Sequence, residues 1–345
     1  MPNPNNKGRP PLSRAVTVSK ALSYILRHAA EKEGLKMDAQ GYANVADVLA
    51  WRKLKSLKAT FPEIVDAVAN SDKKRFALLY IPSGDSGTPA TTSTATDTAT
   101  STDTPTDPTQ QTEQTTLTAL AAATSTPTPP SSSFLIRATQ GHSIKSIEAA
   151  GLLEKLTLDD KASDKFPKTV VHGTFHSTWP AIFASGGLKC MGRNQVHFAT
   201  GPALEEVLGE IAKRKQQKNT DGEGETGEKG EAGKVISGMR RDAQVLVYVN
   251  VERALAAGCP FWRSENGVVL SEGMEVEVDG KKETMVPLSV VDVVVERKLG
   301  LGRMWEKGAV VQQWPSEWGT RPPVKGKGRG RGRGSDGRDQ QQQQQ

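Results

Sequence analysis

Apolar residues recur with a helical period near the start of the chain and with a strand period later on. In TVSKALSYILRHAAEKEG, Leu22, Ile25, Leu26 and Ala29 stand at i, i+3, i+4 and i+7. That spacing predicts an amphipathic helix, opened by Thr17 or Ser19 and stopped near Gly34. NVADVLAWRKLKSL predicts a second helix. TFPEIVDAVANS predicts a third, because Thr60 and Glu63 have capping-box spacing and Pro62 suits the first turn. KKRFALLYI then reads as a strand. Further on, SFLIRAT, KTVVHGTF, NQVHFAT, QVLVYVNV, GVVLSEG and VVDVVVER read as strands, and SIKSIEAAG and STWPAIFASGG as helices.

Residues 12–83, with three short helices and a strand, resemble a winged-helix module. Residues 134–305, with many short strands and few helices, predict an α+β unit with a mixed or antiparallel sheet. Between them, 84–133 is Thr, Ser, Ala and Pro with acidic residues and no Lys or Arg. It reads as a disordered linker, because such a segment buries too little apolar surface to offset chain entropy. The charged stretch 213–234 reads as a surface insert, and 306–345 as a disordered tail.

Charge sharpens the reading of that tail. The chain of 345 residues carries a net charge of +6. Residues 321–345 alone hold seven basic residues against two acidic ones, in a Gly-Arg repeat that ends in glutamines. This suits salt-sensitive attraction to RNA, although a solubilising tail has the same composition. Cys190 and Cys259 exclude a disulfide framework and fit a reducing compartment. There is no secretory signal or 18-residue apolar run. The expectation is an intracellular monomer, in nucleus or cytoplasm, with no membrane partner.

Three of the five histidines lie in HGTFHSTWPAIFASGGLKCMGRNQVHF. His172 ends a strand, where i and i+4 residues are about 13 Å apart, too far for one ion. No HExxH helix occurs, so no metal site is expected. Arg27 projects away from the apolar stripe, and taken alone Arg27 and His28 read as a solvated surface pair. Arg137, inside an apolar strand, needs an anion or a carbonyl partner, because its charge is not lost by a pKa shift. Arg193 stands between a glycine and a strand. Ser264-Glu265-Asn266-Gly267 has ordinary hairpin chemistry. GxGxxG and GxxxxGK[ST] are absent, which disfavours Rossmann and P-loop nucleotide sites.

The order of these pieces adds what none carries alone: SKALSYILRH, IRATQGHS, VHGT, GL-x-x-M-x-R leading to VHF, VLVYVNV, and F-W-x-S-x-N-G-V-V-L. Together they resemble the tRNA 2′-phosphotransferase family. The resemblance implies a winged-helix lobe on an ADP-ribosyltransferase-like lobe, an RNA substrate with a splice-junction 2′-phosphate, and NAD consumed as co-substrate without a metal. In that family the 2′-phosphate attacks the anomeric carbon of the nicotinamide ribose and expels nicotinamide. The ribose 2″-hydroxyl then attacks phosphorus, releasing ADP-ribose 1″,2″-cyclic phosphate.

Carried over by motif, the catalytic set is Arg27, His28, Arg137 and Arg193, the first two expected from one lobe and the last two from the other. His172, Gly173 and Thr174 match the NAD-gripping strand. Gln140, His142, Ser143, Ser264, Asn266 and Gly267 match segments around the dinucleotide, and His176 is left a structural role. The sequence departs from the family at Gln195, where members usually carry histidine; a glutamine still donates but holds no charge. Rival readings are an ADP-ribosyltransferase that caps phosphorylated nucleic-acid ends, and a non-catalytic RNA-binding protein.

Overall fold

The computed structural model describes residues 12–71, 73–82, 108–163, 166–220, 238–240 and 242–320. The chain begins with α1 (Arg14–Tyr24), β1 (Ala43–Asn44), α2 (Val45–Ala50), α3 (Arg52–Ser56), α4 (Phe61–Ala69), β2 (Phe76–Tyr80), α5 (Pro108–Ala123) and β3 (Phe134–Ala138). Next come β4 (Glu154–Lys155), β5 (Val171–Thr174), α6 (Trp179–Ala184), β6 (Gly187–Leu188), β7 (Val196–Phe198), α7 (Leu204–Thr220), β8 (Val245–Val249) and α8 (Val251–Ala256). The remainder is β9 (Trp262–Arg263), β10 (Val269–Ser271), β11 (Met274–Val278), β12 (Lys281–Pro287), β13 (Val291–Glu296), β14 (Gly302–Glu306), β15 (Ala309–Val310) and α9 (Glu317–Thr320).

Strand order is β1-β3-β2 in one sheet, β4-β9-β10-β7 in a second, β11-β12-β6 in a third and β15-β14-β13-β8-β5 in a fourth. Each pairing that orders them is antiparallel. The architecture is α+β.

The first helix buries the expected stripe: Leu22, Ile25 and Leu26 are fully buried and Ala29 nearly so. Its cap lies further upstream than Thr17 or Ser19, at Ser13, whose hydroxyl accepts from the Val16 amide at 3.4 Å. After Tyr24 the helix widens into one π-helical turn, Ile25–Ala29. Such turns are rare inside helices and cluster at functional sites; this one carries Arg27 and His28. Gly34 stops the run in a left-handed conformation at φ 71°. The Thr60–Glu63 capping box forms, with the Thr60 amide 2.9 Å from Glu63 Oε2. The second expected helix breaks at Trp51 into α2 and α3.

Several expectations change. Phe134–Ala138, placed by sequence at the start of the second unit, is the central strand of the first sheet and pairs with both β1 and β2. Phe134, Ile136 and Ala138 join the core built on the first helix, so Arg137 belongs to the N-terminal side and not with Arg193.

Within the expected linker, 108–123 is helix α5, with Thr112, Ala119 and Ala123 buried; residues 83–107 lie outside the described residues. Small side chains at this spacing let the helix lie close against β2. The Thr116 hydroxyl accepts from the Leu78 amide at 3.3 Å, meeting a backbone donor of the edge strand.

The expected tail begins later than residue 306. Trp318 is 2 % exposed and stacks on His176 with ring centroids 4.0 Å apart. Residues 321–345 lie outside the described residues. In the expected surface insert, 213–220 continues α7, and 221–234 is likewise not described.

SIKSIEAAG forms turns instead of a helix. Its carbonyls are taken by tertiary donors, Asn194 Nδ2 reaching the Ile144 oxygen at 2.8 Å. Ile144, Ile147 and Ala149 still pack as core. The β11–β12 hairpin was legible but unread: alternating MEVEV leads to Asp279-Gly280, both at positive φ, as a type I′ turn demands.

Candidate active site

Arg27 and His28 meet the loop after β3 through backbone and side chain. The Ser143 amide donates to the Arg27 carbonyl at 2.9 Å, and the Ser143 hydroxyl lies 3.4 Å from the same oxygen. His28 Nδ1 is 3.0 Å from that hydroxyl. With Ser143 donating to Arg27, His28 donates from Nδ1 and keeps Nε2 as an acceptor. Gly141, at φ 82°, gives the turn its geometry; a Cβ there would sit 3.5 Å from His197 Nε2 and 3.6 Å from Arg27 Nη1. Arg27 and His197 therefore flank the same glycine.

His172 Nδ1 donates to the His197 carbonyl at 2.9 Å, which leaves His172 Nε2 unprotonated when the ring is neutral. His197 Nδ1 donates to the Gln195 carbonyl at 3.1 Å. Arg193 is exposed on the segment leading into β7, its amide bonded to the Cys190 carbonyl at 3.2 Å. The Asn194 amide donates to the His142 carbonyl at 2.9 Å, tying this segment to the loop after β3.

Electrostatics mark the convergence. Burial, then Arg75 and Arg193, lower the Arg27 guanidinium to about 10. Burial, then Arg193 and Arg27, pull His28 below its usual range. Partial desolvation, although the side chain is exposed at the surface, and then Arg240 do the same to Arg193. Burial, followed by Arg27, Arg137, His28 and His197, holds the His142 imidazole at about 3. Burial, with Arg193 the largest charge, holds His197 at about 3. Every charge that perturbs Arg27, His28 or Arg193 is another cation. Arg27 Nε and Nη2 and His142 Nε2 are buried and have no hydrogen-bond partner among the described residues. Among the described residues no carboxylate perturbs these three groups, so positive potential gathers there and a polyanion complements it.

Arg137 is built differently. It is 3 % exposed, with its guanidinium 4.5 Å from the centroid of the Tyr42 ring. Its Nη2 donates to Thr112 Oγ1 at 2.7 Å, and Nη1 reaches the Gln40 and Gly151 carbonyls at 3.4 and 3.3 Å. Nε is buried without a protein partner.

Other expected residues form supports around this centre. The Ser264 hydroxyl lies 2.7 Å from Asn266 Oδ1 and 3.2 Å from Gln140 Oε1, so one hydroxyl hydrogen serves a small polar knot. Asn266 Nδ2 donates to the Lys73 carbonyl at 2.6 Å, which joins this turn to the first sheet. Gly267 is required by its φ of 75°, and open space surrounds its missing Cβ. Thr174 is buried, its carbonyl accepting from the Gln244 amide at 2.8 Å.

Gly173 needs to be glycine for packing: a Cβ would lie 2.4 Å from Met239 Cγ and 2.8 Å from Ala243 Cβ. That side belongs to the core holding Val171, while His172 and Thr174 point to the opposite face. His176 pairs through Nε2 with Glu296 Oε1 at 2.9 Å, away from the cations. Gln195 is buried, its amide 3.4 Å from Glu272 Oε1, where a neutral donor suffices. Among the described residues, no group of three His, Cys, Asp or Glu side chains is arranged to hold a metal ion. No described helix is long and apolar enough to cross a membrane.

Residues 13–273 match the family described as RNA 2′-phosphotransferase, Tpt1/KptA family. The chain belongs to this family. It is similar to tRNA 2′-phosphotransferase 1 of Danio rerio, 30 % identical over 261 residues, covering 76 % of this chain and 80 % of the relative. The corresponding enzyme of Bos taurus is 32 % identical over 267 residues, 77 % of this chain and 72 % of the relative. The tRNA 2′-phosphotransferase of Saccharomyces cerevisiae is 26 % identical over 266 residues, 77 % and 82 % of the two chains.

Four residues of this cationic cluster and its supports were not picked out as site residues by the sequence patterns. Arg75 ends the basic run before β2, and Arg240 follows the charged insert. His197 sits in VHF beside the noted arginine. Asn194, next to Arg193, links two loops. The shared signal was a polar residue at the mouth of an apolar strand.

The neutral histidines make stability depend on pH. A histidine in the unfolded chain titrates near 6.5, so between pH 6.5 and about 3 the unfolded state binds more protons than the folded one. The contribution of His142 is whole above pH 6.5 and is lost as pH falls through that window, by up to about 1.4 kcal/mol per pH unit. Half-buried His197 adds less. Urea unfolding from neutral to mildly acid pH should show this slope, and His142→Gln should flatten it. Equal slopes in both proteins would show that the ring is not held neutral by the fold.

Proposed function

We propose that this protein removes an internal 2′-phosphate, of the kind left at a tRNA splice junction, from RNA, with NAD as co-substrate. The observation that carries this is the environment of Arg27, His28 and Arg193, where each perturbing charge is a cation, with buried guanidinium nitrogens of Arg27 that meet no partner among the described residues. A phosphate dianion needs several forked donors to be held in line for displacement. Arg27 and Arg193 supply them from two separate segments, and Arg137 Nε adds a third from β3.

NAD, when bound, supplies an electrophilic ribose carbon bearing a nicotinamide leaving group. The residues fit such a ligand. His172 presents an unprotonated Nε2 to a ribose hydroxyl, and the arginine cluster suits a pyrophosphate. The knot of Gln140, Ser264, Asn266 and Gly267, together with His142 and Ser143, shapes the adjoining wall. Gly173 keeps β5 packed so that His172 and Thr174 face the site. Arginines also stabilise the ground state of the attacking phosphate, so their benefit lies in alignment and in the charge that later develops on phosphorus. His28 Nε2 is placed to take a proton from a hydroxyl that attacks phosphorus, its tautomer set by Ser143.

On this reading the N-terminal sheet and helices act as a winged-helix-type RNA lobe against an ADP-ribosyltransferase-type lobe. The test is incubation with an oligonucleotide bearing one internal 2′-phosphate, with and without NAD and with a chelator. Loss of the phosphate only when NAD is present, chelator or not, is expected. Phosphate loss without NAD, or a stable ADP-ribose cap on RNA ends in place of phosphate removal, would overturn it.

A further inference from the structure

Helix α5 lies in a stretch whose composition suggests a mere spacer, yet it reaches the site. Thr112, 8 % exposed, accepts from Arg137 Nη2 at 2.7 Å, the shortest hydrogen bond that guanidinium makes among the described residues. The other two, to the Gln40 and Gly151 carbonyls, are long and share Nη1. The Tyr42 ring covers one face of the group. Nη1 is thereby used up within the protein, and Nε, which meets no acceptor among the described residues, is left for a ligand.

A hydroxyl suits this task. A carboxylate at the same place would orient the guanidinium but cancel its charge, whereas a threonine orients it and leaves the charge for an incoming anion. The helix is anchored independently of this bond. Thr116 meets the Leu78 amide, Ala119 and Ala123 enter the core, and Glu113 pairs with Lys74 at 2.6 Å.

We propose that Thr112 is a positioning residue for the reaction, holding the Arg137 guanidinium at the angle that offers its Nε edge to the RNA 2′-phosphate. The inference rests on the phosphate-binding role proposed for Arg137 above. It makes the Thr-rich segment a working part of the active site.

The experiment compares the full chain with Thr112→Val, Thr112→Ser, Thr116→Val and Arg137→Lys, and with Thr112→Val combined with Arg137→Lys. Steady-state rates are measured on a 2′-phosphorylated oligonucleotide with NAD, and melting temperatures alongside. Thr112→Val should lower kcat about tenfold, the low end for a lost hydrogen bond to a charged group, while KM for RNA changes by less than about twofold. Thr112→Ser should restore the rate. Thr116→Val should lower the melting temperature at least as much as Thr112→Val but leave kcat alone. In the Arg137→Lys background, Thr112→Val should add almost nothing.

Three results would each overturn the proposal: a wild-type kcat for Thr112→Val, an equal loss in both backgrounds, or a matching kcat loss in Thr116→Val. Wild-type turnover by Arg137→Lys would instead remove the assignment of Arg137 itself. That outcome separates failure of the underlying reading from failure of this one.

Discussion

Arg27→Met should slow release of the RNA 2′-phosphate by about 10²–10³-fold, the usual cost of deleting one charged donor at a desolvated reacting centre. The same substitution should leave the melting temperature unchanged or raise it. Both effects come from one fact. Arg27 is lowered to about 10 by burial and by Arg75 and Arg193, so in the free protein its charge opposes folding. Its Nε and Nη2 have no protein acceptor to offset that cost. Methionine keeps the aliphatic packing and removes the charge. Arg193→Met should show the same loss of rate with a smaller gain in stability, because Arg193 is exposed. Activity assays and thermal melts on the same preparations decide the matter. A variant that unfolds would show that the guanidinium is structural, and one that turns over normally would show that it does not hold phosphate.

Trp318→Ala should cost about 3–5 kcal/mol, the range for truncating a large buried aromatic. That is a large fraction of the roughly 5–15 kcal/mol by which a typical domain is stable. Trp318 is 2 % exposed, stacks on His176 and belongs to the core with Trp179, Val294 and Met304. Through His176 it also abuts Glu296, which accepts the amides of Lys298 and Leu299 at 2.6 and 2.8 Å. A chain cut after residue 305 should therefore behave as a destabilised protein even though the family match ends at 273. Urea midpoints and slopes measure this. A midpoint unchanged by Trp318→Ala would mean that the terminal helix is not docked in solution.

Local patterns in the sequence were reliable where their cause is local. The Leu22–Ala29 stripe, the Thr60–Glu63 box, the Gly34 stop and the seven expected strands all form. Side-chain period, capping chemistry and backbone permissiveness act over a few residues, and the chain carries them wherever it goes. The ordered motifs likewise placed Arg27, His28, Ser143, His142 and Arg193 within one electrostatic neighbourhood.

What the sequence could not settle was the partner of each element. Arg137 was assigned to the wrong side because an apolar strand looks the same whichever sheet it completes; only its pairing with β1 and β2, 90 and 60 residues away, decides. The Thr-rich helix was missed because its buried face is made of alanines and of threonines whose hydroxyls meet an edge strand and an arginine, and composition counts those threonines as polar. The packing reason for Gly173 was likewise invisible, because Met239 and Ala243 come from a distant segment to fill the space of its missing Cβ. By itself the sequence determined the elements and the kinds of side chain available for chemistry. Tertiary structure decided which charges stand together and which are already satisfied. Those are contacts between distant segments, and no local period records them.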